Sequence, residues 1–284
     1  MTAYGEAFDS LYRIDLDTRQ ATLVGPAGRY GGVPITNISG LTAASDGAFY
    51  AVSGALKLLL KVDPTSGAGN VVGPLGLAGQ GSGQFDALDL GMTVDCDGTL
   101  WLASGTSQQL WRVDARSGSL TPVGTMGHRI SGLVARGDEL YGSGDQGDHT
   151  FYRIDKTTGA ATAIGGFGPS VPSYLNSVSM SFDDAGTLWA VLNYVPPADG
   201  SVVPDWADLA TIDPATGVVT VLGPITGPES LRQLGMKGFT LGPTPCRTVA
   251  AAPIAAPAAA PSTLAVLGAL LAFAALRRSA PKRG

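Results

Sequence analysis

The chain has 284 residues, enough to bury a large core, and its 40 glycines and 19 prolines fit a protein built from many turns. Only 14% of residues are charged, the formal net charge is −5, and no Lys/Arg stripe precedes the tail, which excludes a nucleic-acid surface. So low a charge content suits an exported module.

Ala3-Tyr4-Gly5-Glu6 aligns with Leu140-Tyr141-Gly142-Ser143, so the chain opens on what reads as the second strand of a repeating sheet. Leu11-Tyr-Arg-Ile-Asp15 follows as an alternating strand that ends in an Asp turn, and a β-branched run then closes in Val24-Gly25. The unit returns from Leu59 to Gly67, Leu110 to Gly118, Phe151 to Gly159 and Leu209 to Gly217. Its aspartates, Asp15, Asp63, Asp114, Asp155 and Asp213, recur every 40 to 58 residues, the period of a repeat architecture. Each Asp reads as a turn-maker, with a Gly four positions later in left-handed backbone; only the first copy departs, with Arg19 there. The closing runs are Val24-Gly25, Val72-Gly73, Val123-Gly124, Ile164-Gly165 and Leu222-Gly223.

A second unit alternates with the first, from Gly40 to Val52, Gly91 to Ala103, Gly132 to Gly142 and Ser179 to Val191. Its Asp-Gly turns between apolar runs are hairpin signals, so two hairpins make a four-stranded antiparallel blade. Gly235-Met-Lys-Gly-Phe-Thr-Leu241 repeats the first strand of this unit and has no second strand after it, whereas Ala3–Glu6 has no first strand before it. The deficits complement each other. The prediction is therefore an all-β, five-bladed β-propeller of twenty strands over residues 1–241, its ring closed by a blade shared between the two chain ends.

Long insertions fall at Pro74–Leu90, Gly165–Ser177 and Tyr194–Asp208. The first two join an outermost strand to the next innermost one and are expected on the face around the channel; the third is expected on the opposite face. Cys96, in an inter-strand turn, and Cys246, after the last strand, have no metal-ligand spacing. A disulfide between them would suit an oxidising compartment, but the reading preferred from sequence is two unpaired thiols.

After Leu241 the composition changes. Residues 242–261 form an Ala/Pro-rich linker, and residues 262–284 hold an uncharged run of fifteen residues, Ser262 to Leu276, followed by Arg277-Arg278 and Lys282-Arg283. With the Ala-rich approach and the snorkelling Arg stems, the run reads as a short transmembrane helix, and the basic residues after it place the C-terminus inside and the propeller outside. Pro261-Ser262-Thr263-Leu264, the apolar span and Arg277-Arg278 together resemble a PEP-CTERM sorting signal of exported Gram-negative proteins, although Ala259-Ala260-Pro261 stands where that motif has Pro-Glu-Pro. The resemblance implies an exosortase-type sorting enzyme as a partner and a membrane-anchored or surface location. The propeller, over about residues 3–241, is similar to Leu-Tyr-x-Ile-Asp-x-x-Thr-Gly repeats of such proteins, which implies architecture and address and no reaction. Export requires a signal peptide, and none is present before Tyr4. The start codon is therefore expected to be mis-assigned or the chain truncated.

His128 and His149 are the only imidazoles, and neither lies in a nucleophile or metal motif. Asp145-Gln-Gly-Asp148-His149 and Asp86-Ala-Leu-Asp89 offer oxygen ligands to a hard cation but fit polar loops equally well, so no cofactor or metal is expected. Gly79-Gln-Gly-Ser-Gly-Gln84 has no phosphate-loop Lys and reads as a plain loop; Trp101, Trp111 and Trp189 read as packing between blades. Loops before the innermost strands converge on the channel mouth, which selects Asn37, Asp86, Asp89, His128, Arg129, Asn176, Arg232 and Gln233 as ligand-binding candidates. The function expected is non-enzymatic binding of an envelope protein or polysaccharide. The alternative is a propeller hydrolase or lyase using His128 or His149 with a carboxylate-bound cation.

Overall fold

A computed structural model describes residues 1–77, 88–196, 200 and 204–246. The residues after 246, including the predicted span and the sorting residues Pro261, Ser262, Thr263, Leu264, Arg277 and Arg278, lie outside the described residues, as do Asp86 and Gly79–Gln84. Among the described residues no helix is long and apolar enough to cross a membrane.

In chain order the strands are β1 (Thr2–Ala7), β2 (Ser10–Asp15) and β3 (Gln20–Pro26), then a two-residue hairpin, β4 (Arg29–Tyr30) and β5 (Val33–Pro34). Next come β6 (Ile38–Ala43), β7 (Phe49–Ser53), β8 (Leu58–Val62) and β9 (Gly69–Pro74), followed by β10 (Leu90–Val94), β11 (Leu100–Ser104), β12 (Gln109–Val113) and β13 (Leu120–Thr125). The remainder are β14 (Ile130–Arg136), β15 (Glu139–Gly144), β16 (Thr150–Ile154), β17 (Ala161–Gly166), β18 (Leu175–Phe182), β19 (Leu188–Tyr194), β20 (Asp208–Ile212), β21 (Val219–Pro224) and β22 (Gly238–Thr240). Apart from the β4–β5 hairpin, these form five four-stranded sheets. Blade 1 is β22-β1-β2-β3, and blades 2 to 5 are β6–β9, β10–β13, β14–β17 and β18–β21. All blade pairings are antiparallel, and β22 pairs with β1 through Tyr4–Thr240, Gly5–Phe239 and Glu6–Gly238. The protein is thus an all-β five-bladed propeller with the shared closing blade that the sequence predicts.

Each blade buries both faces, because five separate apolar cores lie between successive blades. Trp101 belongs to the core between blades 3 and 4, Trp111 packs on that between blades 2 and 3, and Trp189 on that between blades 5 and 1. The repeated Asp makes its turn as expected: Oδ1 of Asp15, Asp63, Asp114, Asp155 and Asp213 accepts the backbone N–H two residues on. Those N–H donors hold the Asp114, Asp155 and Asp213 carboxyls below the ordinary range; at Asp15 the Thr18 N–H contributes most, and at Asp63 the Thr65 hydroxyl does.

The two repeated glycines form one blade-to-blade joint. A Cβ added at Gly25, Gly73, Gly124 or Gly165 would collide with the carbonyl oxygen just before Gly67, Gly118, Gly159 or Gly217 of the next blade. The latter glycines all have φ of 78° to 80°. The fifth joint differs, since Arg19, with φ 57°, stands where the other blades have Gly, and its side chain approaches Gly223.

Two expectations are corrected. Strands alternate in direction, so loops joining second to third strands share a face with loops entering the innermost strand; Tyr194 and Asp208, the described ends of the third insertion, therefore open on the channel-mouth face and not the opposite one. There Gln233 N–H donates to the Asp205 carbonyl and Val195 N–H to that of Tyr174. The cysteines are also paired, not free: Cys96 and Cys246 form a disulfide with their Cα atoms 5.3 Å apart. They meet because residues after β22 run across the end of the channel opposite the mouth. Along this strap Leu241 N–H bonds Ser181 Oγ, Pro243 bridges to Ala43, Thr244 Oγ1 donates to the Val94 carbonyl and Gly137 N–H donates to that of Pro245.

Glu6 stands at the closing seam. It occupies the β1 position that Val52, Ala103, Ser143 and Val191 hold in the other blades, is fully buried, and neither carboxyl oxygen has a hydrogen-bond partner among the described residues. Burial, reinforced by the nearby Asp9 charge, pushes its carboxyl from 4.5 up to about 8. The folded chain therefore holds a proton that the unfolded chain releases above 4.5, so this residue's contribution is fully present below that pH and is lost as pH rises to about 8.

Two predictions follow from packing and burial. Gly73→Ala forces a joint apart and is expected to cost about 1–3 kcal/mol by chemical denaturation, more than Gly47→Ala in an open turn. Glu6→Val is expected to raise the melting temperature at pH 8 more than at pH 5, flattening a slope worth a few kcal/mol; parallel pH profiles of the two proteins would refute it.

Candidate functional site

The five innermost strands, β22, β6, β10, β14 and β18, surround the axis, each beside the next. At the mouth the channel is lined by Asn37, Ser39, Asp89, Ser131, Ser177, Ser179 and Lys237 together with Leu88, Leu90 and Val178. Deeper, Gly40, Gly91, Gly132, Ser179 and Gly238 border the axis, whereas the neighbouring Leu41, Met92, Leu133, Met180 and Phe239 belong to the five cores between blades; at the far end Gly242, Thr244 and Pro245 of the strap close over it. The three cavities in sequence measure about 20, 10 and 10 Å³, room for about one water-sized group each. The mouth is therefore a recess of mixed polar and apolar lining above a narrow shaft.

Local backbone explains why some predicted residues reach it. Asn37 and Asp89 each immediately precede an innermost strand and have φ of 52° and 43°, a left-handed conformation that Asn and Asp tolerate better than most residues. Their carbonyls accept the Gly54 and Gly105 N–H groups, which ties each entry loop to the neighbouring hairpin. Asp89 Oδ1 lies 3.2 Å from Lys237 Nζ, and Asp89 Oδ2 lies 3.9 Å from Arg129 Nη2. The same Arg129 nitrogen is 3.0 Å from Asp145 Oδ2. Asp145 is buried, with Oδ1 accepting the Gln146 N–H. Burial pushes its carboxyl above the ordinary 3.8, and the Asp89 charge adds to this, whereas Arg129 pulls the other way. Two cations and two carboxylates thus form one neutral chain at the rim.

The remaining candidates do not join this recess. His128 faces outward on blade 4, where its Nδ1 lies 3.1 Å from the Tyr152 hydroxyl and its ring packs 4.6 Å from the tyrosine ring. Tyr152 in turn donates to Asp148 at 2.8 Å; burial and that bond push its hydroxyl up to about 12, so it stays protonated. Asn176 is the extra residue of a bulge between Leu175 and Ser177, and Ser177 takes its place in the lining. Arg232 and Gln233 are occupied in holding the blade 5 insertion: Arg232 Nε and Nη2 reach the Asp205 carboxylate at 3.0 and 3.1 Å, and Gln233 Nε2 reaches it at 3.2 Å. Asp86 lies outside the described residues.

Lys237 and the serines escape a reading that looks only at loops before strands. Each nevertheless has a sequence signal, because Ser39, Ser131 and Lys237 directly precede the small residues Gly40, Gly132 and Gly238 that open the recurring innermost strand. The Asp145–His149 cation reading gains no support: Asp145 is taken by Arg129 and Asp148 by Tyr152, and His149 stacks on Phe167. The Asp86–Asp89 reading falls partly outside the described residues.

Fold and recess together define a five-bladed β-propeller with a narrow axial recess. No protein-family model matches the sequence, and no match is found among curated proteins. Solved structures are similar in fold. A chain of a nidogen/laminin complex shares 12% identity, with 84% of this chain and 97% of that one covered and a TM-score of 0.51. A protein of unknown function from Bacteroides thetaiotaomicron shares 13%, covering 66% and 53%, with a TM-score of 0.50. Virginiamycin B lyase from Staphylococcus aureus shares 17%, covering 78% of this chain and 65% of its own, with a TM-score of 0.44. The chain thus spans just under two thirds of the lyase's length, and at these identities the likeness is one of fold alone.

Arg129→Ala strips Asp145 of its cation and is expected to cost about 1–3 kcal/mol near neutral pH. The penalty should fade as pH falls towards 3.8, where the carboxyl no longer needs a partner. A loss of melting temperature that is the same at both ends of this range would show that Arg129 acts by packing alone.

Proposed function

We propose that the protein is a non-enzymatic binding propeller of the bacterial cell envelope, exported and membrane-anchored by its C-terminal segment, that recognises an envelope polysaccharide or protein at its channel mouth. The observation that carries this reading is the asymmetry of the channel. One end is a recess where hydroxyls, the Asn37 amide and paired charges stand beside Leu88, Leu90 and Val178, and the other is covered by the strap that the Cys96–Cys246 disulfide fastens. A disulfide supports an oxidising compartment. Residues 262–284 would supply the anchor, and an exosortase-type enzyme would process Pro261, Ser262, Thr263 and Leu264.

The hydrolase or lyase reading draws on one observation, the His128–Tyr152–Asp148 contact. It is the weaker reading, because it asks for a carboxylate-bound cation and both oxygens of Asp148 already accept the Tyr152 hydroxyl.

Capture of purified envelope polysaccharides by the immobilised full chain tests the proposal. Binding is expected to fall about ten-fold or more when Asp89 and Lys237 are both changed to Ala, and to be unaffected by His128→Ala. Turnover of a captured glycan that disappears with His128→Ala would favour the enzyme instead. In cell fractionation the full chain should sediment with membranes, and a chain ending at residue 261 should not.

A further inference from the structure

Ser131 sits at the neck of the channel and lines both the upper and the middle cavity. It is only 9% exposed, and its Oγ has no hydrogen-bond partner among the described residues. Comparable serines on this face are satisfied by the protein: the hydroxyls of Ser53, Ser104 and Ser143 donate to the carbonyls of Thr36, Leu88 and Val178. A buried hydroxyl without a partner is costly, and this one borders the recess at the channel mouth.

Size and charge limit what fits there. The upper cavity, about 20 Å³, admits a single water-sized group and no sugar ring. Lys237 and Arg129 are already matched by Asp89 and Asp145, so an incoming charge would be desolvated without a counter-charge. A hydroxyl donates and accepts at once, which matches a neck bordered by Ser39, Ser131 and Ser179. We infer that the neck is a socket for one neutral primary alcohol, the hydroxymethyl arm of a hexose in a glycan, received by Ser131 while the ring lies above Asn37, Asp89 and Lys237. A hydroxymethyl group fits because its extra carbon carries the oxygen below a rim too narrow for the ring. This inference rests on the polysaccharide form of the proposed function and narrows it to neutral hexoses.

Calorimetric titration of the full chain with three probes tests it: a neutral hexose oligomer, its 6-deoxy counterpart and its uronate counterpart. The neutral oligomer is expected to bind about ten-fold or more tightly than either of the others. Ser131→Val, which fills the neck with the residue found at the matching position of blade 5, Val178, is expected to lose the neutral probe by a similar factor with an unchanged melting temperature. Ser131→Ala is expected to weaken it about three-fold or more and covers the case in which the Val variant folds poorly. Equal affinity for the neutral and 6-deoxy oligomers, or binding indifferent to both Ser131 variants, overturns the socket and leaves glycan recognition standing. Failure of every probe, together with failure of polysaccharide capture, overturns the broader reading with it.

Discussion

Three residue pairs between β1 and β22 close the ring, and everything else in the structure depends on them. Without them blade 1 would have no inner strand, the cores on both sides of it would open, and the channel would lose one of its five walls. The seam is short, and one of its three pairs carries Glu6, a buried carboxyl at a place that the other blades fill with Val, Ala or Ser. Closure therefore relies on support from outside the seam. Part of that comes from Lys237, whose N–H donates to the Glu6 carbonyl while its side chain reaches Asp89 across the mouth.

The rest of the ring is held by repetition. Where one blade's closing Gly meets the next blade's turn Gly, backbone touches backbone, and two side-chain-free positions must face each other for blades to approach so closely. This couples the two sequence signals that define the repeat: each repeat contributes the turn glycine to one joint and the closing glycine to the next. Arg19 breaks the pattern at the joint between blades 5 and 1. There the contact is completed by Gln20, which bridges to Thr226 and hydrogen-bonds its hydroxyl at 2.6 Å. The exceptional joint thus belongs to the blade that is also assembled from both chain ends.

This division explains what could be read in advance. Turn-making Asp and Gly act through local backbone, so the twenty blade strands, the blade number and the complementary ends were legible from spacing alone, whereas the β4–β5 hairpin was not. Asn37 and Asp89 were legible for the same reason, because each is fixed by the turn that delivers the chain to an innermost strand. His128, Arg232 and Gln233 occupy similar places in sequence, but their side chains are claimed by Tyr152 and Asp205, and such partners depend on loops whose course no local rule sets. The face on which the ends of the Tyr194–Asp208 insertion open follows from strand parity, a matter of geometry that sequence does contain. The disulfide was a different case: its two cysteines are 150 residues apart, and only the path of the strap brings them together.

That strap gives the molecule its direction. An axial channel ringed by five strands has two ends, and the strap makes them unlike. Residues 241–245 cover one end by bonding to blades 5, 2, 3 and 4 in turn, and the other holds Asp89, Lys237 and the mouth serines. Linking positions 150 residues apart also removes entropy from the unfolded chain, by about 4–5 kcal/mol on a loop-closure estimate. The crosslink joins blade 3 to the chain just beyond β22, so the strand that closes the ring cannot drift from the rest of the wheel while the bond is intact. A short noncovalent seam becomes sufficient because its loose end is tied down elsewhere, by the same strap that lies across the end of the channel opposite the mouth.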